Sequence, residues 1–443
     1  MVSTPNKPTP DPTPRELIAG RPPLAMHAMD GLTMEEVPLN AIADQVGTPV
    51  WVYSAAAVRR RYRLLAAALS EAGVSAHVHY AMKANDRLAV LRLLAAEGAG
   101  ADVVSEGELR RARQAGIPAE SIVFSGVGKT ETELRLALTE GIAQINVESA
   151  EELQMLSAIA AGTGHTARVA LRVNPDVDAG THEKITTGRA RNKFGIPHTD
   201  VAALYRRAAT LPGIEPIGLA VHIGSQVLSL APYRAAFQLL ADLTRVLHAE
   251  GQSVSVIDCG GGLGIPYHGE PAPPPAALAG AIRATLQKLD VEVLVEPGRW
   301  LVGPAGVLLS SVILSKLTSD GRFVVLDAAM NDLIRPAMYD AWHGIVPISS
   351  VDAVAPAEKA DVVGPVCESG DTFARDRLLP PLAAGARVAI LDCGAYGSVM
   401  SSAYNARPPA AEVMVNGSNW SVIRERASLA DLWRGERVPH WLK

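Results

Sequence analysis

Eight short apolar runs between Ala76 and Glu296, each breaking off into a glycine, an asparagine or a charged or polar residue, constrain this chain more than any other feature. They are HVHYAM (77–82), ADVV (101–104), IVFSG (122–126), QINVE (144–148), VALRVNP (169–175), GLAVHIG (218–224), VSVIDCGGG (254–262) and VEVLVEPGR (291–299). Between them lie Ala/Leu/Arg/Glu-rich stretches with helical spacing, such as ELRRARQAG and AEELQMLSAIAAG. Eight alternations of strand and helix in about 230 residues predict an α/β fold, a (β/α)8 TIM-type barrel, whose strands carry the active site at their C-terminal ends. Lys83, Asp102, Asn174, His222, Gly260 to Gly262, Glu296 and Arg299 all fall at those ends.

The chain is long enough for a second domain. Its 443 residues, 48% hydrophobic and 20% charged, supply ample core. From Gly306 the pattern changes to VLLSSVILSKL, RFVVLDAA, ADVVGPVC, RVAILDCGA and EVMVNG, which predicts a C-terminal β domain over 306–443 behind a barrel over 51–305. Residues 25–50 are expected to pair with that β domain. Residues 1–24, crowded with Pro and Thr and lacking an apolar h-region, read as a disordered lead rather than a signal peptide. EPAPPPAALAG (270–280) reads as a surface loop between the seventh strand and its helix.

Net charge is −5, with no basic stripe interleaved with aromatics, so the expected partner is a small molecule and not nucleic acid. No run reaches the 18 apolar residues of a membrane span. Three cysteines, Cys259, Cys367 and Cys393, are too scattered for a disulfide framework or a metal knuckle, which predicts a reducing, cytoplasmic setting and no metal site.

Each candidate residue has a bland reading beside a chemical one. A lone lysine is usually solvated, but Lys83 follows an apolar strand, where desolvation can lower its pKa enough for a Schiff base with a carbonyl group. The glycines at 260–262 do not fit G-x-G-x-x-G; a Gly-rich turn at a late barrel strand is either a tight turn only or a seat for phosphate on bare backbone N–H groups. Glu296 in EPGR is either strand punctuation or a carboxylate that pairs with a protonated pyridine nitrogen. Together, lysine, glycine turn and glutamate describe a pyridoxal phosphate site. His222, by default structural, could lie against a cofactor ring, with Ser225 available to its phosphate. Cys367 would by default be an inert small residue. In VCESGD, with Glu368 and Asp371 beside it, it reads as a partly exposed thiol with a role.

The stretches YAMKAN, ADVVSEGEL, TTGRARNKFGI, HIGSQ, DCGGGLGI, EPGRWLVGPAG, LDAAMNDLIRPAMYDAWH, GPVCESGD and DCGAYGSVMSSAYNARP, in this order, resemble the fold type III pyridoxal phosphate decarboxylases, and within them the diaminopimelate decarboxylases. The resemblance runs from about residue 30 to the end, with Ala329 standing where glycine is usual. It implies that Lys83 holds the cofactor, Glu296 keeps the ring nitrogen protonated, His222 stacks on the ring, and Asp102 orients Lys83. Ser225, Gly261, Gly262 and Gly298 would bind phosphate, and Tyr396 would contact cofactor and substrate. Arg299, which the resemblance places near the cofactor too, would grip the substrate with Arg335, Tyr339 and Glu368. Cys367, Glu368 and Tyr396 would be shared across a head-to-tail homodimer.

The implied reaction is decarboxylation of meso-2,6-diaminopimelate to L-lysine, with Cys367 as proton donor and Lys83 as its rival. A thiol of ordinary pKa, about 8.5, is mostly protonated at neutral pH. Arg299 and Arg335 would offer forked donors to the distal carboxylate, and Glu368 an acceptor for the distal ammonium. The rival expectations are a decarboxylase of the same fold acting on ornithine, arginine or carboxynorspermidine, and an amino-acid racemase on the same barrel.

Overall fold

A computed structural model describes residues 11–442 other than Thr186, Ala190, Arg191 and Asp320. The first ten residues of the expected lead and three positions of TTGRARNKFGI therefore lie outside the described residues. The chain divides into two units. One runs from Val58 to Pro266 and from Pro271 to Gly303; the other joins the chain up to Ala57, Tyr267–Glu270 and the chain from Pro304 onward.

The first unit is a closed barrel. Its strands are Ala76–Ala81, Gly100–Val103, Ile122–Phe124, Gln144–Val147, Ala167–Asn174, Ile214–Val221, Val256–Asp258 and Glu292–Val295, each within one of the eight apolar runs or overlapping it. Every neighbouring pair is parallel, and pairing of the eighth strand with the first closes the ring. Ser105, Thr130 and Ser149 cap the helices after the second, third and fourth strands by accepting the N–H of Glu108, Glu133 and Glu152, so short polar turns convert strand into helix. The proline run at 270–280 is part loop and part helix: the helix Pro275–Leu286 begins inside it, with Pro275 at a position where a missing N–H costs nothing.

Alternate strand residues face the barrel interior, and two layers differ in chemistry. Val123, Ile217, Val256 and Leu294 form a small apolar cluster. Two residues further along three of these strands stand Ser125, Asp258 and Glu296, all buried. Apolar filling thus stops just short of the C-terminal mouth, and polar groups take over where the strands end.

The second unit is a mixed sheet ordered Thr372–Leu379, Glu358–Val363, Gly321–Leu326, Gly306–Thr318, Val50–Ser54, Ala411–Asn416 and Asn419–Arg424. Its long strand Gly306–Thr318 also pairs with Arg387–Ile390, which pairs with Ile345–Pro347. Two sequence expectations change here. The VWVYS run, placed at the head of the barrel, is a strand of this sheet, because its edges pair with Gly306–Leu309 and Ala411–Val415. Residues 24–38 form their own antiparallel three-stranded sheet rather than a strand of the larger one, although Leu24, Leu32 and Met34 join its core. The expected disorder over 1–24 also fails at Pro14–Ala19, a helix started by a reciprocal Thr13/Glu16 capping box and anchored by buried Leu17 and Ile18.

Candidate active site

A cavity of about 340 Å³ opens at the C-terminal mouth of the barrel, lined among others by Lys83, Asn146, Arg172, His222, Asp258 and Glu296. A larger one, about 810 Å³, lies at the strand N-termini beside His77, Arg168 and Glu292. Size favours the second. Chemistry favours the first, because strand C-terminal ends are where barrels hold their reactive groups.

Lys83 sits on the single turn Met82–Ala84 after the first strand. Its Nζ lies 3.1 Å from Oδ2 of Asp102, whose side chain is fully buried and whose Oδ1 has no hydrogen-bond partner. The pair holds the amine at the cavity edge. His222 follows the sixth strand; the Gly261 N–H donates to its Nδ1 at 3.1 Å, which leaves the ring proton on Nε2. Desolvation, then the positive charges of Lys83 and Arg172, hold the imidazole well below its ordinary pKa, so the ring is neutral.

The glycine turn is required by close approach. A Cβ on Gly260 would stand 2.1 Å from the Val221 carbonyl, and one on Gly261 2.0 Å from the Glu296 carbonyl. Gly260 and Gly262 also have positive φ, 65° and 98°. Gly298 brings Ala81 and Ala84 to within 3.2 Å of where its Cβ would be. Arg299, buried, donates from Nη2 to the Ser225 hydroxyl at 2.8 Å, which ties the loop after the sixth strand to the end of the eighth.

Glu296 is 4% exposed and accepts only long bonds, from Ser125 Oγ at 3.4 Å and Asn146 Nδ2 at 3.5 Å. Asp258, on the seventh strand, stands beside it, and the Asn146 amide reaches both acids. Burial first, then the negative charges of Asp102 and Asp258, push the Glu296 carboxyl well above its ordinary pKa. Neither Asp258 nor Glu296 forms an ion pair among the described residues.

A second buried network supports the rim. Arg172 donates to Glu148 at 2.6 Å; Glu148 also accepts the N–H groups of Gly126 and Gly195. Lys129 bridges Glu152, at 2.8 Å, to the carbonyls of Gly126 and Asn146. Ser125, Asn146, Glu148, Arg172 and Asp258 join the site without being among the residues that the sequence singles out. Their signal was present as polar residues at alternate positions of apolar runs, as in QINVE, and as the acid just before the glycine turn.

The remaining candidates belong to the second unit. Arg335 is buried, bonded through Nη1 to His343 Nε2 at 2.8 Å, with its guanidinium 4.9 Å from the Tyr267 ring centroid. Tyr339 closes the same short helix, Arg335–Tyr339. Cys367 is exposed, and its backbone N–H donates to Asn405 at 2.9 Å. Glu368 is exposed beside Tyr404, whose hydroxyl it raises in pKa by hydrogen bonding. Asp371 serves the loop itself: its oxygens accept the N–H groups of Met330 and Val366, each at 2.7 Å. Tyr396 is held at φ 54°, a strained conformation for a bulky residue.

These groups fit pyridoxal phosphate. A lysine amine, a neutral imidazole and a buried acid without a cation line a cavity of suitable size, and the narrow glycine turn is bonded to that imidazole. Fold and site therefore define a pyridoxal-dependent decarboxylase, and the family described as "Pyridoxal-dependent decarboxylase, pyridoxal binding domain" matches residues 55–303. The chain is 48% identical to a diaminopimelate decarboxylase of Zymomonas mobilis, over 93% of this chain and 98% of that one, and 44% identical to one of Archaeoglobus fulgidus with the same coverage. The crystal structure of diaminopimelate decarboxylase from Helicobacter pylori complexed with L-lysine superposes with a TM-score of 0.86 at 40% identity, over 89% of this chain and 98% of that one. The chain belongs to the diaminopimelate decarboxylase family.

Proposed function

We infer that this chain decarboxylates meso-2,6-diaminopimelate to L-lysine and carbon dioxide, the closing reaction of lysine formation, with pyridoxal phosphate as cofactor. The observation that carries the reading is the cavity shared by Lys83, His222 and the buried Glu296. When bound, the cofactor supplies an aldehyde that condenses with amines and a pyridinium ring that accepts the electron pair left by the departing carboxylate.

The chain's residues do the rest. Lys83 holds the cofactor and exchanges protons at Nζ, and Asp102 fixes the direction of that amine. Glu296 presents an acceptor to the ring nitrogen. His222, oriented by Gly261, offers a flat neutral face. Ser225, Gly261, Gly262 and Gly298 receive the phosphate, with Arg299 orienting the Ser225 hydroxyl.

Arg335, Tyr339, Glu368 and Tyr396 grip the far end of the substrate, and Cys367 returns a proton to the reacting carbon in preference to Lys83. We place Cys367, Glu368 and Tyr396 in the site of a second copy, in a head-to-tail homodimer. The exposed Cys367 and the strained Tyr396 support this reading. Arg299, tied to the Ser225 hydroxyl, also serves the substrate carboxylate. Three unpaired cysteines suit a reducing cytoplasm, and no described helix is long and apolar enough to cross a membrane.

The test is carbon dioxide release from meso-diaminopimelate, ornithine, arginine and carboxynorspermidine, with and without added pyridoxal phosphate. Cofactor-dependent release from meso-diaminopimelate alone is expected. Release from ornithine or arginine instead would refute the substrate, and retained carbon dioxide with scrambled stereochemistry on chiral chromatography would identify a racemase.

A further inference from the structure

The second carboxylate beside Glu296 has no part in the roles above. Asp258 is 1% exposed and lies on the seventh strand, while Glu296 follows the eighth. Backbone bonds from Glu296 N to Gly260 O, 2.8 Å, and from Cys259 N to Leu294 O, 2.9 Å, pin the two strand ends together. Asn146 bridges the acids. Its Oδ1 accepts from Gln144 Nε2 at 2.7 Å, so its Nδ2 must point at the carboxyl groups, 3.0 Å from Asp258 Oδ2 and 3.5 Å from Glu296 Oε1.

Donors are unevenly shared. Asp258 receives the Gly260 N–H at 2.9 Å and the Asn146 amide at 3.0 Å, whereas Glu296 receives only the bonds of 3.4 and 3.5 Å. Both acids are buried, reached by the same Asn146 amide and without an ion pair among the described residues, so two ionised carboxylates there would repel each other. A single proton shared by the pair relieves that repulsion. Hydrogen-bond supply places the negative charge on Asp258 and the proton on Glu296. The other charged or titratable groups around the pair are Asp102, which repels a second charge, Lys83, already bonded to Asp102, the buried Cys259 thiol, and, lining the same cavity, the neutral His222 and Arg172, which is paired with Glu148.

We propose that Asp258 is a positioning residue that shares one proton with Glu296 and, once a ring nitrogen docks on Glu296, adds the second negative charge that keeps that nitrogen protonated. The inference rests on the cofactor reading above. Proton balance is simple: a cationic ring docks as the pair releases its proton, and a neutral ring takes that proton from Glu296. Either way two carboxylates then face one cation. Asp258 thereby acts through Glu296 and touches no reacting atom.

The alternative is a purely structural Asp258 that only holds the Gly260 turn. Asp258→Asn separates the two, because its amide oxygen still accepts the Gly260 N–H while the charge is gone. The probe is pyridoxine 5′-phosphate labelled with ¹⁵N in the ring, which has no aldehyde to react with Lys83. The ¹⁵N shift of the bound ring is followed from pH 6 to 9 on the apoprotein. The ring nitrogen of the wild type is expected to stay protonated throughout, and that of D258N to titrate at least about one pH unit lower, the effect of removing one close like-signed group.

Thermal melting of the apoproteins gives a second readout. A carboxyl pair that holds its proton above the unfolded-state value stabilises the fold in acid and loses that contribution as pH rises. Apo D258N should therefore melt above apo wild type at pH 8 and not at pH 5. Equal ring titration in D258N and wild type would overturn the proposal, as would equal melting at pH 8. If D258N does not fold, Glu296→Gln removes the same repulsion from the other side and must show the same melting gain. Failure of the probe to bind wild type would instead strike the cofactor reading, and the melting comparison would still decide the pair.

Discussion

Two buried charge networks lie within one barrel, and they are balanced in opposite ways. Around Glu148 and Glu152 every acid has its cation: Arg172 and Lys129 are as buried as their partners, and backbone N–H groups and carbonyls use the remaining valences. Around Glu296 and Asp258 the acids face each other, with amide and hydroxyl donors but no ion pair. A buried charge that is fully compensated is a structural device, whereas buried acids left without a cation are held ready for one from outside. The first network shapes the rim; the second is a seat for a positively charged ring. Lys83 stands between the two behaviours, paired with Asp102 yet one-third exposed at the cavity edge.

The comparison can be broken at several points. Lys83→Ala removes the amine that the seat exists to serve, and turnover of meso-diaminopimelate should fall on the order of 10⁴-fold or more, with loss of the visible absorbance of bound cofactor. Glu296→Gln keeps shape but not charge; kcat should fall by about 10² to 10³ while the fold is retained, as read by steady-state kinetics and circular dichroism. The opposite pattern is expected on the balanced side. Lys129→Met strands Glu152 in the interior and should cost about 3–5 kcal/mol in denaturant unfolding, with activity per folded molecule largely retained.

The smallest effect is at the edge of the acid cluster. Burial, against the bond from the Val104 N–H and aided by the negative charge of Asp102, raises Glu108 to about 7. Its folded pKa lies above its unfolded value, so it favours the fold below about pH 4.5 and loses that contribution as pH rises toward 7. Glu108→Gln should flatten the stability profile between those limits by about 1–2 kcal/mol, measured by urea unfolding at a series of pH values.

Much of this was legible in the chain itself. Eight apolar runs announced eight strands, and the residues ending them included Lys83, His222, the glycine turn and Glu296. What escaped notice depended on partners. VWVYS has the composition of a barrel strand, and it is the edges of Gly306–Leu309 and Ala411–Val415 that draw it into the other sheet. Thr13 and Glu16 carry a capping signal that the surrounding prolines obscured. Gln144, Asn146 and Glu148 alternate with apolar residues, yet their inward direction becomes meaningful only when the barrel closes and brings Asn146 against Asp258. A strand's end names its reactive residue, but the groups that tune it come from neighbouring strands.

The most direct test of a waiting seat for a cation is the rise in melting temperature when pyridoxal phosphate is added at pH 8 to apo wild type and to apo E296Q. The account predicts that E296Q begins higher, relieved of its buried repulsion, and gains much less from the cofactor than wild type. Equal starting temperatures and equal gains in the two proteins would contradict it.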